Sequence, residues 1–288
     1  MIVARGPSEL EPAERAVAIG TFDGVHRGHR AVIEAARDSG LRSTVVTFEP
    51  HPRLVLGYEV QLLSTWERRV ELIEALGPDE LLAVEFTPEL SRLAPEEFVR
   101  EVLRPLGTRL VIAGEDFRFG AGRRGDLALL RRLGLEVRPV PLVEGVSSSR
   151  IRELVRAGEV VGAAGLLGRP FELEGTVVAG DQRGGTLGFP TANLAPDAHL
   201  LVPGYGIYAG AALETRAAVS IGVNPHYGGS ERRVEAFLLD WEGDLYGRRL
   251  RLELWVRLRD ERAFADEDEL VAQIAEDVDA TRAAQRPA

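Results

Sequence analysis

The apolar positions of this chain change their period part-way along it. Through roughly the first 140 residues, short apolar runs alternate with stretches that repeat every three to four positions. Ala16-Val17-Ala18-Ile19, Ser43 to Phe48, Leu81 to Phe86, Leu110 to Ala113 and Leu135 to Val140 read as strands. Between them, four stretches read as helices: Arg30 to Ala36, a run with Trp66, Val70, Ile73 and Leu76 at helical spacing, Pro95 to Leu103, and Asp126 to Leu133. This alternation implies a parallel sheet covered on both faces. Ligands of such sheets sit at the carboxyl ends of the strands. From Ser147 to Leu167 two short helical patterns follow one another, broken near Gly158. Gly168-Arg169-Pro170 then marks a switch to period two, with Gly, Pro and Asn turns at short intervals. Leu173 to Val178, Ile207 to Leu213, Ala217 to Val223, Val234 to Leu239 and Leu250 to Val256 read as antiparallel strands of a small barrel. Asp266 to Arg282 reads as a closing helix with an acidic first turn and an apolar face of Leu270, Ile274 and Val278. The expected architecture is an α/β domain over residues 1–168, then a small antiparallel β-barrel with a terminal helix over 169–288.

Composition narrows the chemistry. At 288 residues the chain accommodates two domains of ordinary size, each with a core. A net charge of −10 argues against a general nucleic-acid binder. The absence of cysteine excludes disulfides and thiolate metal sites. There is no N-terminal basic-plus-apolar segment and no apolar run of membrane-spanning length, so no membrane partner is expected and the cytoplasm is the expected location. All 35 basic residues are arginine, so a lysine-type P-loop is impossible and any cationic phosphate contact must come from arginine.

Gly20-Thr21-Phe22-Asp23-Gly24-Val25-His26-Arg27-Gly28-His29 joins the first strong strand to a helix. A strand, a glycine-rich turn and a helix in that order form an anion-binding corner, because a helix N-terminus offers unpaired N–H groups and partial positive charge. Two imidazoles spaced His-x-Gly-His can sit beside the same phosphate and donate to charge that develops there. Gly28 lets a large ligand approach the backbone. Ser147-Ser148-Ser149-Arg150-Ile151-Arg152 opens a later helix, and its hydroxyls suit caps or phosphate contacts equally. Gly114-Glu115-Asp116-Phe117-Arg118-Phe119-Gly120 follows a strand. Asp116 is its site candidate, while Phe117 and Phe119 fit either the core or an aromatic ligand wall. Glu49-Pro50-His51-Pro52 follows another strand, and His51 fits a structural role as well as a site.

The second half carries its own glycine-dense string, Gly180 to Leu194. Such a loop exposes backbone N–H groups to phosphate oxygens. Thr191 and Asn193 supply neutral oxygens suited to Mg²⁺. A phosphoryl transfer to an alcohol benefits from a carboxylate that accepts the hydroxyl proton. Val234-Glu235-Ala236-Phe237-Leu238-Leu239-Asp240 is a strand with a carboxylate near its start.

These segments resemble, in order, the motifs of the bacterial bifunctional riboflavin kinase/FAD synthetase family, whose first half is a Rossmann-like nucleotidylyltransferase domain and whose second is a flavokinase-like barrel. The likeness rests on F-D-G-V-H-x-G-H, T-F-E-P-H-P, G-E-D-F-R-F-G, S-S-S-x-I-R, G-D-x-R-G-x-T-L-G-F-P-T-A-N-L and V-E-x-x-L-L-D. It implies ATP-dependent phosphorylation of riboflavin to FMN, then adenylylation of FMN to FAD with release of pyrophosphate. In the first domain it implies that His26 and His29 act in catalysis. Thr21, Phe22, Asp23, Gly24, Gly28, Asp116, Phe117, Ser148, Ser149 and Arg152 would bind ATP and FMN there. In the barrel it implies nucleotide and flavin binding by Gly180, Arg183, Gly185, Thr186, Gly188, Pro190, Thr191 and Asn193. Thr191 and Asn193 would hold Mg²⁺, and Glu235 would be the base. The implied partners are small molecules, with self-association left open. The chain departs from the family pattern at several positions. Thr21 stands for asparagine, Ser149 for threonine, and Gly185 for a common second arginine. Asn224-Pro225-His226-Tyr227 replaces a Pro-Thr-Phe segment, and Phe237 a frequent histidine. Two rivals are a monofunctional adenylyl- or cytidylyltransferase with an accessory barrel, and a flavin-binding regulatory protein without catalysis.

Overall fold

Strand β2 (Arg15–Ile19) is buried at every position. A strand with no solvent face belongs in the middle of a parallel sheet, and β2 lies there. The computed structural model describes residues 1–180, 189–223 and 232–288. The sheet also contains β1 (Ile2–Ala4), β3 (Arg42–Glu49), β4 (Glu80–Glu85), β5 (Thr108–Gly114) and β6 (Glu136–Val140), in the order β1-β4-β3-β2-β5-β6 with every pair parallel. The helices are α1 (Arg27–Arg37), α2 (Pro52–Val55), α3 (Trp66–Glu74), α4 (Pro88–Arg92), α5 (Pro95–Phe98), which runs on into a π-turn over Val99–Leu103, and α6 (Leu127–Arg132). Alternate strand residues feed two cores. Ala16, Ala18, Val45 and Leu81 meet Ile33 of α1 and Ile73 of α3 on one face. Val17, Ile19, Val46 and Leu82 meet Phe98, Val102 and Leu130 on the other. From β2 the chain runs to β3 on one side and later to β5 on the other. Strand order thus reverses between β2 and β5, and their carboxyl ends flank the crevice where such sheets bind ligands.

The opposite end of the sheet holds a buried ion pair. Arg15 Nε and Nη2 donate to the two Glu80 oxygens at 2.7 and 3.1 Å, and Thr44 Oγ1 donates to the same carboxylate at 2.7 Å. Both partners are almost wholly buried. Burial alone would push the Glu80 carboxyl up; the bonds from Arg15 and Thr44 outweigh it and hold the group below its ordinary value. The stability it contributes is therefore complete above the unfolded value, about 4.3, and is lost as pH falls through the lower folded value. Glu80→Ala should destabilise the N-terminal unit by about 3–5 kcal/mol, because it strands the Arg15 charge. Urea unfolding checks this, and a loss below about 1 kcal/mol would place the pair with surface ion pairs instead.

The second half closes into a barrel of β7 (Phe171–Val178), β8 (Ala192–Pro196), β9 (Gly206–Ala212), β10 (Thr215–Val223), β11 (Arg232–Leu238) and β12 (Arg249–Arg259), in the order β10-β11-β8-β7-β12-β9 with antiparallel pairing. Period two sorts the residues: Val234, Ala236 and Leu238 of β11 point into the core, and Arg233, Glu235 and Phe237 point outward. The final helix α9 (Glu267–Ala283) is capped by Asp266, whose side chain accepts from the Glu269 N–H. Its anchoring differs from the apolar face read from sequence. Leu270, Ile274 and Val278 are only half-buried, whereas Asp277 and Thr281 are buried. The cause is Arg259 of β12, which grips Asp277 through two bonds of 2.9 and 2.7 Å.

Helices α7 (Ser148–Arg156) and α8 (Val160–Leu167) pack with the barrel: Ile151, Val155, Val160 and Leu167 share one core with Phe171 and Leu173. The chain accordingly forms two compact units, Met1–Val60 with Trp66–Ser147, and Gln61–Thr65 with Ser148–Ala288. Patterning changes at Gly168, but packing changes at Ser147. In the second unit, Leu63 enters the core, and Leu62 exchanges main-chain bonds with His199 and Leu201 at 2.7 and 2.8 Å.

Candidate active sites

Helix α1 begins at Arg27, earlier than the apolar spacing alone suggests, because His26 is its cap. The His26 Nδ1 accepts the His29 N–H at 3.2 Å. An imidazole that accepts at Nδ1 carries its own proton at Nε2 when neutral. The capping bond therefore fixes the tautomer and leaves the Nε2–H to donate elsewhere. The two rings stack at 3.5 Å between centroids and 17° between planes, so they form one rigid pair. Gly28 serves this pair directly: a Cβ there would stand 3.3 Å from His26 Cε1.

The preceding turn is buried and strained. Phe22, Asp23 and Val25 are 1–2% exposed. Phe22 and Val25 have φ of 50° and 39°, a region that costs a non-glycine residue on the order of 1–3 kcal/mol. Phe22 belongs to the core and meets the His29 ring edge-on at 5.3 Å. Gly24 is buried in the same turn. The half-buried Thr21 turns its carbonyl oxygen inward, where it accepts from Thr47 Oγ1 at 3.2 Å. At the end of β5, Asp116 is exposed, and Phe117 is half-buried and stacked on Phe119 at 5.6 Å. Phe119 packs on Phe98 in the core, so the choice left open between core and wall falls to core for Phe119. His51 is buried and caps α2, accepting from the Arg53 N–H at 3.2 Å, which is a structural role. Ser148 and Ser149 begin α7 in the other unit. Arg152 is buried there, and its Nε donates to the Gln61 carbonyl at 2.7 Å.

The barrel brings a second set of candidates together by register. Glu235 of β11 lies directly opposite Asn193 of β8 on one side and Ser220 of β10 on the other. Opposed residues in such a pair have Cβ atoms about 4.5–5.5 Å apart, so Asn193, Glu235 and Ser220 form one row on the outer face. Gly180 lies against the same row, since a Cβ there would fall 2.1 Å from Asn193 Nδ2. Thr191 is half-buried and Pro190 exposed, just before β8. Phe237, two residues beyond Glu235, meets Phe189 edge-on at 5.5 Å. Asp240, the other carboxylate of this segment, is held by Arg282 at 2.6 and 2.8 Å, bonds that lower its pKa. Arg183, Gly185, Thr186, Gly188 and the Asn224-Pro225-His226-Tyr227 segment lie outside the described residues.

Residues 8–151 match the FAD synthetase family, and residues 167–285 match the riboflavin kinase family. The bifunctional riboflavin kinase/FMN adenylyltransferase of Escherichia coli strain K12 is 35% identical to this chain over 300 residues, with 96% of each covered. The chain belongs to the bifunctional riboflavin kinase/FMN adenylyltransferase family. The Bacillus subtilis strain 168 member of this family is 34% identical over 93% of this chain and 91% of its own. A crystal structure titled a macrolide-efflux protein from Streptococcus pneumoniae has the same fold, with a TM-score of 0.87 at 30% identity over 98% of both chains. In this bifunctional riboflavin kinase/FMN adenylyltransferase homologue, no helix among the described residues is long and apolar enough to cross a membrane. Two neighbours of the candidate sites escaped sequence reasoning. Ser220 joins the Glu235 row only through strand register, and Arg69 reaches Thr21 from a helix that no motif marks.

Proposed function

We propose that the chain makes FMN and FAD in two steps at two sites. It phosphorylates riboflavin with ATP to give FMN, and it adenylylates FMN with a second ATP to give FAD and pyrophosphate. One observation carries this reading: a FAD synthetase match over residues 8–151 and a riboflavin kinase match over residues 167–285 follow one another on a single chain.

Adenylyl transfer needs no enzyme nucleophile, because an FMN phosphate oxygen attacks the α-phosphorus and the bond to pyrophosphate breaks. The protein's part is alignment and stabilisation of developing charge. We assign that part to His26 and His29 at the N-terminus of α1, with Thr21, Asp23, Gly24 and Gly28 forming the turn. Phe22 sets the angle of His29, and Asp116 and Phe117 stand at the end of the neighbouring strand. Ser148, Ser149 and Arg152 are assigned to ATP binding.

For the kinase we assign Glu235 as the base that takes the proton from the riboflavin 5′-hydroxyl as its oxygen attacks the γ-phosphorus and ADP leaves. The Gly180 backbone, Pro190, Thr191 and Asn193 would line the nucleotide and flavin site, with Arg183, Gly185, Thr186 and Gly188 from the preceding loop. The donor set fits Mg²⁺: Thr191 and Asn193 offer neutral oxygens, and the Asn193 side chain lies in the space a Gly180 Cβ would take. When bound, Mg²⁺ would neutralise phosphate charge. The partners are small molecules, and the proposed location is the cytoplasm.

Incubating the full chain with riboflavin, ATP and Mg²⁺ and separating the flavins chromatographically tests both halves. FMN should rise first and FAD follow. Accumulation of FMN alone would remove the adenylyl-transfer assignment. FAD from supplied FMN, with riboflavin untouched, would remove the kinase assignment.

A further inference from the structure

Arg69 lies on α3, outside every motif, and its side chain is wholly buried. Its Nη1 donates to the carbonyl oxygens of Thr21 and Phe48 at 3.4 and 3.3 Å. These oxygens lie at the carboxyl ends of β2 and β3. Nε and Nη2 have no hydrogen-bond partner among the described residues. The Glu49 carboxylate faces the guanidinium at 3.8 Å, and its Oε2 is likewise buried without a hydrogen-bond partner among the described residues. Trp66 packs beneath, with its ring centroid 5.5 Å from the guanidinium carbon.

Folding alone gives a poor account of this residue. A buried guanidinium with idle donors is destabilising, and an apolar side chain of similar volume would avoid that penalty. What an apolar side chain cannot do is hold two main-chain oxygens. One of them belongs to the turn that carries His26 and His29. That turn contains two non-glycine residues in the left-handed region, one of them the β-branched Val25. Such backbone persists only where its surroundings over-determine it. Thr47 supplies one fixed bond to the Thr21 oxygen, and Arg69 supplies the other.

We propose that Arg69 is a positioning residue for adenylyl transfer: by fixing the Thr21 carbonyl it sets where the stacked His26–His29 pair meets the ATP phosphates. This rests on the assignment of the two histidines made above.

The experiment compares full-length wild type with Arg69→Met, Arg69→Lys and His29→Ala. FAD formation from FMN and FMN formation from riboflavin are measured on the same preparations, with thermal unfolding alongside. Displacement of a catalytic group by about 1 Å costs roughly a hundredfold. Arg69→Met should therefore lower kcat for FAD formation about a hundredfold, with KM for ATP and FMN within about threefold of wild type. Arg69→Lys, which retains charge and a donor, should recover about tenfold of that loss. Arg69→Met should unfold at a somewhat lower temperature, because it leaves the Glu49 carboxylate and the Phe48 carbonyl without the guanidinium, yet it should still form FMN at the wild-type rate. Retention of kcat within about threefold in Arg69→Met, while His29→Ala loses activity, would overturn the role of Arg69 and leave the site intact. Full activity in His29→Ala would overturn the site assignment and the proposal together. Failure of both Arg69 variants to fold would make the residue structural and also overturn the proposal.

Discussion

His29→Ala should abolish FAD formation from FMN and leave riboflavin phosphorylation at the wild-type rate. His29 lies on the first turn of α1, its ring stacked on His26 and buttressed edge-on by Phe22. Loss of one well-placed donor to developing charge costs on the order of 10²–10³ in rate. The main-chain N–H of position 29 survives the change, so the His26 cap survives too. His26→Ala is a harsher test, since it removes the capping acceptor as well as the donor. It should lower stability by about 1 kcal/mol in addition to stopping FAD formation. Steady-state assays of the two reactions on one preparation separate these effects. Equal loss of both activities in His29→Ala would contradict two independent sites.

The second large effect belongs to Glu235. Glu235→Gln keeps size and removes the ability to accept a proton. A general base contributes roughly 10²–10⁴ in rate. Phosphoryl transfer is often largely dissociative, with little proton transfer needed early, so a fall near the lower end is expected. The row on the barrel face makes the substitution a clean one. Asn193 and Ser220 flank position 235 on the neighbouring strands, and glutamine fills the same space between them. Substrate binding should change little, because the loss acts in the transition state. FAD formation from supplied FMN should be untouched. Single-turnover measurement keeps product release from masking chemistry. Near-normal FMN formation would remove Glu235 from the mechanism, and Asp240 is a poor substitute because Arg282 already holds both its oxygens.

Much of this protein could be read from its sequence. The central strands and the succession of a parallel sheet and a barrel follow from period alone, since β2 and β3 are buried on both faces and β9 to β12 alternate. The motif-bearing turns fall at strand ends, where the sheet places its crevice. What escaped depends on partners distant in sequence. Strand β1 is only three residues long and exposes Ile2 and Val3, so it has neither alternation nor a full apolar run. Strand β8 begins at the end of the glycine-dense string and pairs at both sides, yet its composition suggests a loop. The closing helix looked as if it would dock by Leu270, Ile274 and Val278, but a partly buried Arg259–Asp277 pair does more of that work, and periodicity cannot see charge pairing. His26 illustrates a subtler limit. Its spacing suggested a catalytic imidazole, but not that the same ring would begin the helix. Arg69 was invisible because a lone arginine in an amphipathic helix carries no pattern of its own.

The small segment Gln61–Thr65 gives the chain a particular history during synthesis. The six strands of the parallel sheet leave the ribosome before any barrel strand does, and that half can begin folding at once, as domains do when made from the N-terminus. Leu63 cannot join it. Its place is in the core formed by α7, α8 and the barrel, and its neighbour Leu62 pairs with Leu200. Until those later residues emerge, an apolar side chain that is 3% exposed in the finished protein stays in water. The early half therefore folds around an open loop, and that loop becomes ordered only when translation has supplied the rest.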